Sequence, residues 1–271
     1  MRLILTLLVF TTSCLWAETT HILMVRHAET YRNSEGKQIQ GWIDDQAAQL
    51  NLRGKAQADE VGKALANRYE GEITTIYSSP LGRSIETAER IANNFSHIRI
   101  VKDRRLMEIC HGQYDTMSIK ERNDFCCARY EQLQNIFKTQ FPNEPLARFF
   151  KWKINPLTEK AIPAERETSP FEGELETTFQ LFERASLAIQ EIAKTHPNET
   201  VLVCTHGALI KTLADEAEYR ESGDLSVLPV YYDPPSSGSK SRLLPGNCMV
   251  YHFIYDEGKL SFVGSENLLQ Q

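Results

Sequence analysis

The sequence predicts an α/β fold: a three-layer sandwich with a mostly parallel central sheet flanked by helices. Three observations carry that reading. Short apolar runs such as His21-Ile22-Leu23-Met24-Val25 and Thr200-Val201-Leu202-Val203-Cys204 have the length and continuity of strands buried on both faces. Between them lie longer stretches whose apolar residues recur at helical spacing. Strands and helices then alternate along most of the chain, the pattern of a parallel sheet with covering helices. The chain has 271 residues, of which 41% are hydrophobic and 24% charged, enough for one sizeable core.

Taken in order, the first seventeen residues stand apart. Met1-Arg2 precedes the apolar run Leu3 to Phe10, and small polar residues follow, which reads as a secretory signal ending at Ala17. Residues 18–271 are then the mature domain, exported to a periplasm or secreted. Leu15 is large for the position three before such a cleavage point. Cys14, after Thr11-Thr12-Ser13, only weakly resembles a lipid-attachment site. The first core strand is His21 to Val25. Asn51 is placed to cap a helix through Ala56, Val61, Leu65 and Tyr69. Ile73 to Tyr77 is a second strand, and Ser78-Ser79-Pro80 ends it. A helix follows from about Gly82 to Asn94, then a short strand from Ile98 to Val101. Glu174 to Lys194 reads as a long helix, Thr200 to Cys204 as a strand, and Gly207 to Ala217 as a helix. Val250 to Tyr255 and Leu260 to Val263 form a closing hairpin around Asp256-Glu257-Gly258.

Two stretches break the alternation. Residues 113–170 are mixed and aromatic, lie between two core elements, and read as an inserted cap. Glu221 to Pro245 carries Pro234-Pro235 and Ser236-Ser237-Gly238-Ser239 and reads as a long surface loop. The net charge of −6 and the absence of a Lys/Arg run give no nucleic-acid footprint, and after residue 20 there is no apolar run long enough to span a bilayer. Five cysteines follow the signal: Cys110, Cys126, Cys127, Cys204 and Cys248. No C-x-x-C spacing suggests zinc, and a disulfide among Cys110, Cys126 and Cys127 is compatible with export without being specified.

Chemistry concentrates at strand ends. The first strand runs into Arg26-His27, the strand from Thr200 runs into Thr205-His206-Gly207, and the strand from Ile73 places Arg83 at the start of its helix. Ligands of open α/β sheets bind beyond the carboxyl ends of the strands. Neighbouring strands would therefore gather two His and two Arg in one pocket, with helix N-termini adding anion affinity. Arg forks match phosphate oxygens, one neutral imidazole can attack phosphorus, and a second can stabilise developing charge. Glu108, after Arg105-Leu106-Met107, supplies a carboxyl group at the same rim.

The sequence resembles the histidine phosphatase superfamily in its phosphoglycerate-mutase-like branch. The matching pieces are Val25 to Thr30 with Asn33, Gln40-Gly41-Trp42-Ile43-Asp44, Leu52 to Ala58, and Tyr77 to Arg83 with Thr87-Ala88. Further matches are Leu106-Met107-Glu108, Gly173-Glu174, Val203 to Gly207, and Asn247 opening a strand. They occur in the family's order. The resemblance implies His27 as a nucleophile forming a phosphohistidine. It implies Arg26, Arg83 and His206 as the phosphate clamp, with Thr30, Asn33 and the Gly207 backbone as further donors. It implies Glu108 as acid/base and backbone near the pocket from Gln40 and Gly41. It also implies no metal, no organic cofactor, and a small phosphorylated substrate. Glu29, Asp44 and Glu174 match family positions with mixed readings; Asp44 reads equally as a loop or capping residue.

Departures narrow the expectation. Ala28 stands where Gly is usual. Glu108-Ile109-Cys110-His111-Gly112 lacks the Arg and the following Asn-Lys of mutases, and no Arg-Arg pair occurs downstream. The expected activity is therefore phosphomonoester hydrolysis. The alternatives are a phosphoglycerate mutase or bisphosphoglycerate phosphatase, and a non-catalytic phosphate-binding protein of the same fold. Neither substrate nor oligomeric state follows from these residues.

Overall fold

A computed structural model describes residues 19–35, 40–112, 178–223 and 245–269, together with residues 115, 118, 135, 138, 139, 142, 143, 176 and 243. The six strands are β1 (Thr20–Arg26), β2 (Thr75–Ser78), β3 (Arg99–Lys102), β4 (Thr200–Thr205), β5 (Val250–Asp256) and β6 (Lys259–Glu266). The helices are α1 (Tyr31–Glu35), α2 (Leu52–Tyr69), α3 (Gly82–Ala92), α4 (Thr178–Thr195) and α5 (Gly207–Ser222). Sheet order is β3-β2-β4-β1-β5-β6. The first four strands in that order are mutually parallel, and β5 and β6 are antiparallel additions.

Alternating side chains on the central strands explain the layers. Ile22 and Met24 of β1, with Val201 and Val203 of β4, pack against Leu181, Ile189, Leu209 and Leu213 of α4 and α5. Leu23 and Val25, with Leu202 and Cys204, face Val61, Leu65, Ala88 and Ile91 of α2 and α3. Burial on both faces is why these strands read as unbroken apolar runs.

The expected caps and turns are present. Asn51 Oδ1 accepts the Gly54 N–H at 2.7 Å and starts α2. The β5–β6 hairpin turns through Glu257 (φ 47°) and Gly258 (φ 81°), the two left-handed positions of a tight turn whose twist suits the flanking strands. Two expectations need correction. Helix α5 runs five residues past Ala217, because Gly223 (φ 71°) is the residue that ends it, accepting the left-handed conformation of a C-terminal cap. Strand β2 starts at Thr75 rather than Ile73, since Ile73 N–H is still bonded to the Tyr69 carbonyl at the end of α2. The expected signal, the body of the expected cap, Cys126, Cys127, Glu174 and most of the 221–245 loop lie outside the described residues. No described helix is long and apolar enough to cross a membrane.

Candidate active site

The sheet ladder itself gathers the site. β1, β4 and β2 are adjacent, and their bonding continues past the strand ends. His27 N–H bonds the Thr205 carbonyl at 2.8 Å, Ser79 N–H the Cys204 carbonyl at 3.0 Å, and Cys248 N–H the Arg26 carbonyl at 3.0 Å. His27, His206 and Ser79 are thereby held in register at one end of the sheet, the carboxyl end of the parallel strands.

His27 is buried, and its Nδ1 lies 2.8 Å from the Ala28 carbonyl. A carbonyl only accepts, so Nδ1 carries the proton and Nε2 keeps its lone pair. Burial, then the nearby guanidinium groups of Arg83 and Arg26, hold the imidazole pKa well below its ordinary value. The ring is neutral at physiological pH, which a nucleophile requires. The His206 ring lies 5.3 Å from it between centroids, also buried and also held neutral by burial and by Arg83. His206 Nε2 is 2.7 Å from Ser79 Oγ, while its buried Nδ1 has no hydrogen-bond partner among the described residues. Ser79 Oγ also accepts the Leu81 N–H; in the tautomer where Ser79 donates to His206 Nε2, the ring carries its proton on Nδ1 as a donor.

Arg83 is fully buried at the start of α3. Its Nη1 and Nη2 donate to the carbonyls of Ile43 and Gly41 at 2.9 and 2.7 Å, and its buried Nε has no partner among the described residues. Burial lowers its pKa to about 10, so it keeps its charge at neutral pH. Asp44 lies at the same helix start, accepting the Gly82 N–H through both carboxylate oxygens at 2.9 and 3.0 Å. It is a capping residue from a distant loop, favourable against the helix dipole. Arg26 donates from Nη1 to the Pro245 carbonyl at 2.6 Å and runs alongside Gly207, where an added Cβ would sit 3.4 Å from Arg26 Nε. Thr87 joins the two halves: its hydroxyl accepts the Ala28 N–H and donates to the Arg83 carbonyl.

Glu108 lies at the N-terminus of α5. Its Oε2 accepts the Ala208 N–H at 3.3 Å and its Oε1 accepts the Ile109 N–H at 2.9 Å. Thr205 Oγ1 ties the segment before it to β4 by donating to the Leu106 carbonyl.

The remaining expected residues build the wall. Thr30 and Asn33 bond reciprocally, Asn33 N–H to Thr30 Oγ1 and Thr30 N–H to Asn33 Oδ1, at the start of α1. Gln40 Nε2 donates to Thr30 Oγ1, and the Gly41 backbone serves Arg83 as described. Asn247 Nδ2 donates to the His27 carbonyl at 2.8 Å and to Asn33 Oδ1, bracing the loop from beneath. Glu29 turns to Asn51 and Arg53 instead.

Three features went unread in the sequence. Asp115, inside the stretch expected to be a cap, accepts the Trp42 N–H at 3.3 Å, and its buried Oδ1 has no partner among the described residues. Burial raises its pKa to about 7, against the pull of Arg83 and Arg32. Glu176 and Arg184 form a buried ion pair beside the Glu108 backbone. Ser79, which the sequence marks only as part of a strand end, is the partner of His206. The spacing of eight between Glu176 and Arg184 follows no short motif, so only the fold brings them to Glu108. Among the described residues, no group of three His, Cys, Asp or Glu side chains is arranged to hold a metal ion.

Together the arrangement offers a neutral imidazole lone pair, two guanidinium groups, a second imidazole and a carboxyl group at the carboxyl end of the parallel strands. Known proteins are similar to this chain in sequence and in fold. The sequence profile of the histidine phosphatase superfamily (branch 1) matches residues 22–149 and 153–233. Phosphoglycerate mutase-like protein 4 of Arabidopsis thaliana is 31% identical over 196 residues, covering 72% of this chain and 70% of that one. Phosphoserine phosphatase 1 of Hydrogenobacter thermophilus is 28% identical over 185 residues, covering 68% of this chain and 70% of that one. The solved structure of Bacillus stearothermophilus YhfR superposes with a TM-score of 0.57 at 25% identity, covering 90% of this chain and 96% of that one.

Proposed function

The chain belongs to the histidine phosphatase superfamily, branch 1, and from that premise we propose that it hydrolyses phosphate monoesters through a phosphohistidine on His27. The observation that carries this reading is the state of His27: buried, neutral, its Nδ1 proton committed to the Ala28 carbonyl, and two guanidinium groups beside it.

In the first step His27 Nε2 attacks phosphorus and a P–N bond forms while the P–O bond to the leaving group breaks. Arg26 and Arg83 hold the non-bridging oxygens, and His206 Nδ1–H stabilises the charge that builds on them. The Glu108 carboxyl gives its proton to the departing oxygen. In the second step the Glu108 carboxylate takes a proton from water as water attacks phosphorus, and His27 leaves as the neutral ring. No step calls on a metal or an organic cofactor.

The relative named a phosphoserine phosphatase makes a small phosphorylated metabolite the first substrate class to test. The mutase-like relative keeps a second reading in view, in which the phosphoryl group returns to substrate instead of water. Product analysis with 3-phosphoglycerate separates the two, since only a mutase yields the 2-isomer. We propose in addition that residues 1–17 direct export, on the strength of Arg2 and the apolar run after it. N-terminal sequencing of protein from its native source tests that; an intact Met1 contradicts it.

The test of the activity is turnover of para-nitrophenyl phosphate with chelator present. The wild type is expected to be active, His27→Ala inactive, and Glu108→Gln slower by about a hundredfold or more. An active His27→Ala variant refutes the proposal. Stoichiometric phosphate binding without turnover of any monoester favours a non-catalytic binder.

A further inference from the structure

The Glu176–Arg184 pair invites a question that stability does not answer. Its side chains are 0% and 1% exposed. Burying two charges costs more solvation than their attraction returns in most proteins, so a buried ion pair is poor evidence of a stabilising role and better evidence of a geometric one. Its bonds show which geometry.

Arg184 uses all five of its N–H groups. Nε and Nη2 hold the two Glu176 oxygens at 2.6 and 2.9 Å. Nη1 donates to the carbonyls of Arg105 and Met107, both at 2.7 Å, and Nη2 donates to the carbonyl of Glu108 at 2.8 Å. Glu176 grips the other side: its Oε2 accepts the Cys110 N–H at 2.9 Å, and its own N–H bonds the Cys110 carbonyl at 2.9 Å. One ion pair thus fixes the backbone on both sides of Glu108. Trp42 adds a second donor to the same carbonyl, Nε1 to Glu108 O at 2.6 Å.

We propose that Glu176 and Arg184, completed by Trp42, are positioning residues for the Glu108 carboxyl, aiming it at the leaving-group oxygen. The proposal rests on the phosphatase reading, with Glu108 as the proton donor. The step that reads it most directly is the one in which the P–O bond breaks: the Glu108 proton goes to the ester oxygen, and the phosphoryl group goes to His27 Nε2. The phosphate clamp of Arg26, Arg83 and His206 is built from other elements; the Arg184 charge does reach His206, and Arg184→Lys keeps that charge.

That separation gives the test. A correctly aimed acid matters most when the leaving oxygen is basic. The full chain is assayed with phenyl phosphate and para-nitrophenyl phosphate, which have nearly the same shape but leave as a basic and a weakly basic phenolate. Glu176→Gln and Arg184→Lys are expected to lose about tenfold more kcat/KM on phenyl phosphate than on para-nitrophenyl phosphate, a fraction of what general acid catalysis supplies. Inhibition by inorganic phosphate, a measure of the clamp, is expected to stay within about twofold of wild type. Trp42→Phe removes one N–H from the Glu108 carbonyl and is expected to move the same ratio in the same direction. It carries the test if the buried-charge variants do not fold. Equal losses on both substrates, or loss of phosphate inhibition in step with kcat/KM, overturn the proposal while an active wild type leaves the phosphatase reading standing. A wild type inactive on both substrates overturns the phosphatase reading and this one with it.

Discussion

Gly54→Ala tests how tightly the loop after His27 is built against α2. An alanine there ought to stabilise the helix, since it is better than glycine in a helix by about 1 kcal/mol. The structure reverses that sign. An added Cβ would lie 2.0 Å from the Glu29 carbonyl oxygen and 2.8 Å from its carbonyl carbon. Carbon and oxygen in contact sit at about 3.3 Å, so a gap of about 1.3 Å must open between two backbones. Neither can yield easily: the Glu29 carbonyl accepts the Asn51 N–H at 3.1 Å, and the Gly54 N–H is held by Asn51 Oδ1 at 2.7 Å. Overpacking of this kind costs up to about 3 kcal/mol, leaving a net loss of about 2 kcal/mol. In a chain of this length that lowers Tm by roughly 4–8 °C. Glu29 is two residues from His27, so a shift of this size is expected to reduce kcat by tenfold to a hundredfold on the order seen for ångström-scale misplacement. Thermal unfolding followed by circular dichroism and a para-nitrophenyl phosphate assay read both effects. A variant with Tm unchanged or raised and kcat intact refutes the reasoning.

Three further outcomes are expected. Asp115 holds its proton more tightly in the folded state, with a pKa of about 7 against an ordinary 3.8, so native stability falls as pH rises through that window. Asp115→Asn is therefore expected to gain stability increasingly between about pH 4 and 7, with a plateau of no more than about 4 kcal/mol; denaturant melts at pH 5 and pH 8 check this, and an equal effect at both refutes it. Ser79→Ala leaves His206 Nε2 without its 2.7 Å partner and is expected to lower kcat by about tenfold, with weaker phosphate inhibition; unchanged values mean that Ser79 does not set the ring. Cys204 and Cys248 are buried free thiols, with burial pushing Cys204 far up and Cys248 up to about 12. Neither is expected to react with iodoacetamide in the native protein, and mass spectrometry of the alkylated peptides reads this directly.

The parts legible in the sequence are those written locally. The β1 and β4 runs announce two-sided burial, Asn51 announces the start of α2, and Gly258 the last hairpin. Arg26, His27, Arg83 and His206 stand out in the sequence because each lies where a strand ends or a helix opens, where an open parallel sheet exposes its ligand site, and Glu108 because it follows a short strand toward the same rim. Asp44 was ambiguous because a carboxylate that caps a helix 38 positions away leaves no local mark. Glu176 and Arg184 were invisible for the same reason: their partners are backbone carbonyls and an N–H of residues 105–110, and only the packing of α4 against that segment pairs them. Asp115 lies in the stretch that reads as an inserted cap, and its bond to the Trp42 backbone, 73 positions away, leaves no local mark. Composition assigned Glu221 and Ser222 to a loop; the chain instead stays helical until Gly223 supplies the C-terminal cap.

The central claim is that His27 carries the phosphoryl group between substrate and water. Rapid quenching during turnover, followed by peptide mass spectrometry under alkaline conditions that preserve phosphohistidine, tests it most directly. The account predicts one phosphoryl group on the peptide containing His27, accumulating further in Glu108→Gln if water attack becomes the slow step, and absent in His27→Ala. Turnover by the wild type with the label on another residue, or undiminished turnover in His27→Ala, contradicts it.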